Sequence, residues 1–412
     1  MTLIVRLALR NASRNLTRTA LTALTVLFGT GLLTLALSWM EGVFGQLLGT
    51  SAAQAGHVRL VDPDYLAREQ LFPLYEHLPD AGPLAQRFAA KPGVVAAYPR
   101  ILTGVTITAS EEIGENFALA TGAPLAWYTE QLHLDADVAT GRWFTGAEGE
   151  IVLGATVAER IGAKVGQEIV LVGQTQDGAV SPWKGTLVGV VSTGSALVDQ
   201  GAFLPLEPVQ YLADIGGGAT ELLLYGSDRD DAATLGAQLA ADPDSAGMVV
   251  QAWSHRDPWA GMIAISTIVR RVLNTVIVFI TALGVWNTMM MSVLERTGEI
   301  GVMRSMGLTR LGTVALFVLE ALAIAALGGV AGVAIGALGG LYLETYGVEL
   351  GDQLTQNLDA AIPFQTRLYA DVTLPVLVRS FGLGLAMALF GAGVPSLRAA
   401  SIQPVEAMRE RR

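Results

Sequence analysis

The chain has 412 residues, of which 51% are hydrophobic and 15% charged, with no cysteine and a formal net charge of −11. The missing thiols exclude disulfides and thiolate metal sites, the negative balance argues against nucleic acid as a partner, and so low a charge fraction is that of a chain with much of its surface in lipid. The four histidines, His57, His77, His133 and His255, are too scattered to form a ligand set, so neither a metal site nor a cofactor-binding site is expected.

Residues 1–18 are a basic arm carrying Arg6, Arg10, Arg14 and Arg18, read as a cytoplasmic amphipathic arm. Residues 19–40 are uncharged and long enough for one helical crossing of a bilayer. That run exceeds the apolar core of a signal peptide, so it is read as an uncleaved anchor rather than a segment removed after Ala53-Gln54-Ala55. Over 41–265 the long apolar runs give way to short alternating segments punctuated by Gly and Pro, the pattern of a soluble α+β domain. Strands are predicted at 57–61, 94–98, 103–108, 117–121, 151–153, 168–172, 186–191 and 222–225, with helices at 83–90, 155–161 and 232–241. The helices at 83–90 and 232–241 are each followed by a turn into an apolar strand, at 94–97 and 248–252. This echo predicts a split βαβ subdomain assembled from both ends of the segment, with 130–211 inserted as a second subdomain. No catalytic residues are expected, because G-x-S-x-G and H-E-x-x-H are both missing and the acidic residues are spread like those of a solvated surface. Trp127, Trp143, Trp183, Trp253 and Trp259 read as core rather than as a binding surface.

Three further spans follow: 266–294, beginning as a stalk with Arg270 and Arg271; 311–343, interrupted only by Glu320; and 372–397, which contains Arg379. Arginine is concentrated in the N-terminal arm, in the 295–310 loop (Arg296, Arg304, Arg310) and in the 398–412 tail, which puts those segments in the cytoplasm. The 41–265 domain and the acidic 344–371 loop are then extracytoplasmic. The predicted fold class is a membrane α-helical protein with four transmembrane helices and a large α+β extracytoplasmic domain inserted between helices 1 and 2.

Gly328, Gly332, Gly336 and Gly340 recur every four residues, so they share one helix face and invite close backbone approach. The fourth span or a second chain is the expected partner. Glu320 is an intramembrane carboxylate, read as a structural ion pair or a hydrogen-bonded neutral acid rather than a proton relay, with Arg304 and Arg310 as its nearest candidate partners. In the 295–310 loop Ile300, Met303 and Met306 fall at helical spacing and Gly307 ends the run, which predicts a short amphipathic helix. Its apolar stripe suits either a groove on a partner or the headgroup layer, and the pattern alone favours neither.

The run Asn287-Thr288-Met289 through Glu295-Arg296, Glu299-Ile300-Gly301, Arg304 and Met306-Gly307 resembles the signature of FtsX-like, MacB-type ABC transporter permeases. Leu319-Glu320-Ala321 and the segments Pro395-Ser396-Leu397-Arg398-Ala399-Ala400 and Pro404-Val405-Glu406-Ala407 extend the resemblance. Met40-Glu41-Gly42, Gly56-His57-Val58 and Asp62-Pro63-Asp64-Tyr65-Leu66 look more like the lipoprotein-releasing LolC/LolE branch than like MacB. The resemblance implies a permease subunit, not itself an enzyme, working by mechanotransmission. Its coupling helix would rest on an ABC ATPase through Glu295, Arg296, Glu299 and Arg304. It further implies two ATPase copies that hold ATP and Mg, a second permease chain as homodimer or LolC/LolE-like heterodimer, and a periplasmic lipoprotein carrier or adaptor. Ser305 departs from the more frequent alanine but stays small. No G-x-x-x-x-G-K-[ST] loop occurs, so ATP hydrolysis is expected from a separate subunit. Lipoprotein or lipid-like cargo is the expected substrate; peptide or small-molecule efflux with an adaptor, and signalling to a cell-wall hydrolase, are the alternatives.

Overall fold

A computed structural model describes residues 16–109, 115–349 and 367–403. Most of the basic arm, the middle of the 344–371 loop and the end of the tail lie outside the described residues. In chain order the elements are α1 (Leu16–Ala55), β1 (Val58–Val61), α2 (Pro63–Ala67), α3 (Ala81–Ala89), β2 (Ala96–Thr108), β3 (Asn116–Ala123), β4 (Val138–Gly141) and β5 (Glu150–Gly154). They continue with α4 (Ala155–Arg160), β6 (Glu168–Gln174), β7 (Val180–Val191), α5 (Ala196–Asp199), β8 (Gly201–Pro205), α6 (Leu206–Ala213), β9 (Glu221–Tyr225), α7 (Ala232–Ala240) and β10 (Val249–Ala252). Last come α8 (Trp259–Glu295), α9 (Thr297–Ser305), α10 (Arg310–Tyr346), β11 (Val348–Glu349), β12 (Arg367–Leu368) and α11 (Leu374–Ser401). Four of these, α1, α8, α10 and α11, are long and apolar enough to cross a membrane, and the chain is a multi-pass membrane protein with a large α+β domain between its first and second long helices.

The chain divides into two compact units, one helical and one built on Gln46–Ala264 with Glu349–Arg367. In the helical unit the core is made of Val26, Val285, Met289, Val293, Phe317, Ala321, Ala388 and Ala392, mostly small or β-branched residues that let helices approach. Helix α1 turns Thr30, Thr34 and Ser38 inward, and the Thr30 and Thr34 hydroxyls donate to the carbonyls of Val26 and Thr30 at 2.7 Å, so they enter the apolar interior already satisfied. Most of α8 faces outward, with Phe279, Ile280 and Leu283 exposed as a lipid-facing helix would have them.

In the other unit β2 is one long strand that serves two sheets. Its first half pairs with β9, in the order β10-β1-β9-β2, and its second half pairs with β3 and β6. Following the pairings β2-β3-β8-β5-β7-β6 and back to β2 closes a barrel, which removes the exposed sheet edges. Alternation along β2 sends Ile101, Thr103, Val105 and Ile107 inward, where the first, third and fourth meet Ile151, Leu153, Ile169 and Leu187. The second subdomain therefore starts within β2, well before residue 130. Pro99-Arg100 reads as a break in the sequence, whereas in the fold Pro99 sits inside the pairing with Leu222.

The four-stranded sheet is buried on both faces. Val58, Leu60, Leu222 and Leu224 meet Leu84, Phe88, Leu235 and Leu239 of α3 and α7, as the split βαβ reading predicts. Because side chains alternate, Arg59 and Glu221 point to the other face, and there the structure corrects the solvated-acid reading: Glu221 is 0% exposed. Arg59 Nη1 lies 2.6 Å from Glu221 Oε1 and 2.5 Å from Glu69 Oε1, and Arg100 Nε donates to Glu221 Oε2 at 2.9 Å. Arg256 Nη2 is 3.4 Å from Glu69 Oε1 and 3.9 Å from Glu221 Oε1. Burial raises the Glu221 carboxyl, but Arg100, Arg59 and Arg256 overcome it and hold the group down to about 2. Trp127, Trp143, Trp253 and Trp259 are buried, in keeping with their reading as core.

Candidate functional site

The short helix α9 joins α8 to α10, and its residues divide sharply by side. Ile300 is fully buried in the cluster formed by Val26, Val285, Val293 and Phe317, and Met303 packs against the same cluster. Two of the three residues of the predicted docking stripe thus anchor α9 to its own bundle, a correction to the expectation that all three face a partner. The outward face instead carries Val302, 42% exposed, and Met306, 75% exposed, a pair four residues apart with Ser305 and Gly307 exposed beside them. Val302 was missed as a surface residue; the signal for it is the Val302–Met306 spacing, which competes with the Ile300–Met303–Met306 spacing until the position of the bundle is known. Gly307 ends the helix at φ +102°, a left-handed backbone that glycine adopts without the usual side-chain penalty.

The polar residues divide in the same way. Arg296 Nη1 donates to both Glu320 oxygens, at 3.3 and 3.2 Å, and its Nε donates to Glu299 at 3.2 Å, while its guanidinium lies 5.8 Å over the Phe317 ring. Arg304 donates to the carbonyl of Ile402. Arg296 and Arg304, both expected to reach a partner, are therefore engaged within the chain; Glu295 is exposed and Glu299 half-exposed. Glu320, 6% exposed, is an ion-paired carboxylate as expected, but its partner is Arg296 rather than Arg304 or Arg310. The pair ties the start of α9 to α10 and fixes the elbow on which the exposed face is displayed. Replacing Arg296 by Met is expected to cost about 3 kcal/mol by stranding the Glu320 carboxylate, and Arg296→Met with Glu320→Leu should recover most of it. Thermal unfolding of the four members of this double-mutant cycle measures the coupling, and additive losses would mean the pair has no role.

The glycine row packs, and mainly against the first span rather than the fourth. A methyl group on Gly328 would lie 2.5 Å from the Ala23 carbonyl oxygen, on Gly332 2.5 Å from that of Leu27, and on Gly336 2.5 Å from that of Gly31. Gly340 faces Ser38 and Val372. The row is therefore the seat of α1, whose inward threonines and glycine give it the matching narrow surface. Helix α11 uses Gly384 against Thr30 and Gly391 against Val285, while Gly382 and Gly393 face open space. Arg270 at the start of the helical part of α8 lies 3.3 Å from Glu41. Among the described residues, Asp62, Asp64 and Glu76 bring carboxylates together, and the Asp62 carboxylate caps α2 by accepting from the Asp64 amide at 2.7 Å.

Comparison with known proteins gives two family matches that together run along most of the chain: the MacB-like periplasmic core domain over residues 19–242 and the FtsX-like permease C-terminal region over 271–404. The lipoprotein-releasing system transmembrane protein LolC of Neisseria meningitidis serogroup B is 23% identical over 279 residues, which is 64% of this chain and 65% of that protein. LolC of Xylella fastidiosa is 27% identical over 277 residues, again 64% and 65% of the two chains. The match thus spans about 65% of the length of these relatives. Among solved structures, the periplasmic region of MacB from Actinobacillus actinomycetemcomitans aligns with 49% of this chain and 92% of that one, at 12% identity and a TM-score of 0.35. The extracellular domain of the transporter YknZ from Gram-positive bacteria aligns with 47% of this chain and 98% of that one, at 16% identity and a TM-score of 0.34.

Proposed function

Because this chain belongs to the MacB-like periplasmic core domain family and carries an FtsX-like permease C-terminal region, we propose that it is the permease subunit of an ATP-driven transporter whose nucleotide chemistry is done by a separate ABC ATPase. The observation that carries the reading is the division of α9 into a buried side, locked by Ile300 and the Arg296–Glu320 pair, and an outward apolar pair, Val302 and Met306. A small rigid foot of this kind passes a push from below into two long helices without bending, which is what mechanotransmission requires. Arginine at 296, 304, 310 and 398 supports a cytoplasmic foot and, with it, an α+β domain in the periplasm of an inner membrane. The cargo is a lipoprotein or lipid-like molecule handled on the periplasmic side, in line with the two LolC relatives. Two permease chains and two ATPases make the working assembly.

Val302→Asp with Met306→Asp is expected to reduce ATPase co-purification and ATP-driven release at least tenfold while leaving helix content and membrane insertion unchanged, since neither side chain is buried. Undiminished association in that double variant would remove the coupling role from α9. For the cargo, purified complex in mild detergent should show ATPase stimulation by added lipoprotein. Stimulation by a soluble peptide alone would favour efflux.

A further inference from the structure

The charged face of the four-stranded sheet is unbalanced. Arg59, Arg100 and Arg256 share two carboxylates, Glu221 and Glu69. Arg59 is saturated, with Glu69, Glu221 and Gln251 all within 3.0 Å of its guanidinium nitrogens. Arg100 spends its remaining capacity on the Gln54 carbonyl at 2.5 Å and on the Trp127 ring, 5.4 Å from its guanidinium carbon. Arg256 is the group left short. Its Nη1 donates to the Ala55 carbonyl at 3.2 Å, its contacts to carboxylates are long, and its Nε is buried with no acceptor at all. Burial, together with Arg59 and Arg100, outweighs the pull of Glu221 and lowers Arg256 to about 10. A buried cation whose carboxylate contacts are long and shared with two other guanidiniums is costly in a folded interior, and a further anion would offset that cost.

Beside it is the space for one. A cavity of about 180 Å³ is lined by Arg100, Arg256 and Gln54 together with the apolar Trp127, Phe203 and Trp259. That is below the roughly 300 Å³ at which pockets for drug-sized ligands begin. A second cavity of about 250 Å³ shares Gln54, Leu132 and Val198 with the first. The Gln54 side-chain oxygen and, in the second cavity, the Ser195 hydroxyl are also buried without a partner.

We propose that this cavity is a binding site for a small amphiphilic carboxylate, its anionic head on Arg256 and Arg100 and its apolar body against Trp127, Phe203 and Trp259. One carboxylate on this face would bring the cluster of three guanidiniums and two carboxylates to neutrality. Two sources share this chemistry: a short fatty acid, and the C-terminal carboxylate of a peptide ending in an apolar residue. The site does not depend on the transport reading, and its test is read without an ATPase.

Full-length protein in mild detergent is titrated by calorimetry with octanoate and with N-acetyl-L-leucine, each beside its uncharged amide. At least one acid should bind saturably at one per chain, and its amide at least tenfold more weakly. Arg256→Gln should weaken the acid at least tenfold. Leu132→Trp, which narrows the cavity and keeps every arginine, should weaken binding at least tenfold while the chain still unfolds in one cooperative transition; this variant decides the matter if Arg256→Gln does not fold. Saturation by octanoate alone assigns the ligand to acyl chains, and by N-acetyl-L-leucine alone to peptide termini. The proposal is overturned if neither acid saturates, if an amide binds as well as its acid, or if Leu132→Trp binds like the unaltered chain.

Discussion

Glu221→Gln is expected to destabilise the α+β unit by about 3–5 kcal/mol, the usual cost of removing one member of a buried ion cluster. The residue is fully buried, and its two oxygens are the shared acceptors of Arg59 and Arg100 and lie near Arg256. A glutamine keeps the size but leaves three guanidiniums facing only Glu69. The same carboxylate should give the unit an acid-sensitive stability. Its native value of about 2 lies below the 4.5 of an unperturbed glutamate, so its contribution is fully present above the unfolded value and is lost as pH falls from about 4.5 through about 2. Denaturant unfolding followed by tryptophan fluorescence, run between pH 7 and pH 2, reads both effects. The variant should start lower and lose less over the acid range, and a loss under 1 kcal/mol at pH 7 would show that the cluster is not structurally important.

Gly336→Val should be strongly damaging in the helical unit. The added carbon would sit 2.5 Å from the Gly31 carbonyl oxygen and 2.7 Å from Thr34 Cβ. These are atoms of the α1 backbone and side-chain root, which cannot swing aside as a flexible side-chain tip can, so α1 must move away from α10. Ordinary overpacking costs about 1–3 kcal/mol, and a backbone clash along a packed seam belongs at or above the top of that range. The expected reading is a fall of about 5–10 °C in melting temperature in detergent, with reduced yield. Gly393→Val is the control: nothing lies near the added group, and a change within about 0.5 kcal/mol is expected. Equal effects at the two positions would refute the assigned α1–α10 seam.

Some of the architecture was legible because one-dimensional patterns carry it. Hydrocarbon thickness requires long uncharged runs, and four of them stand out, matching α1, α8, α10 and α11. The strands of the α+β unit follow from alternation, and the split sheet was visible in the echo between the segments that became α3 and α7. Legibility failed for β4 and β8, which are only four and five residues long, and for α6, a two-turn helix whose period over Val209, Leu212 and Ala213 was overlooked. It failed again at β2, where a proline inside a continuous strand reads as a boundary. Barrel closure through β6 is a matter of which strands meet, and no local pattern states it.

The candidate site divides along the same line. Local sequence is enough to announce a short amphipathic helix in the 295–310 loop, a glycine face on α10 and a carboxylate within an apolar span at Glu320 that needs an ion pair or a hydrogen bond. Which side of α9 is free, which helix the glycines receive and which arginine answers Glu320 depend on neighbours distant in sequence: Ile300 finds Val26, Gly336 finds Gly31, and Glu320 finds Arg296. The buried charges at positions 59, 69, 100, 221 and 256 are the extreme case. Each resembles an ordinary surface residue in its own segment, and only the convergence of separate strands and loops removes the water that would otherwise have screened them.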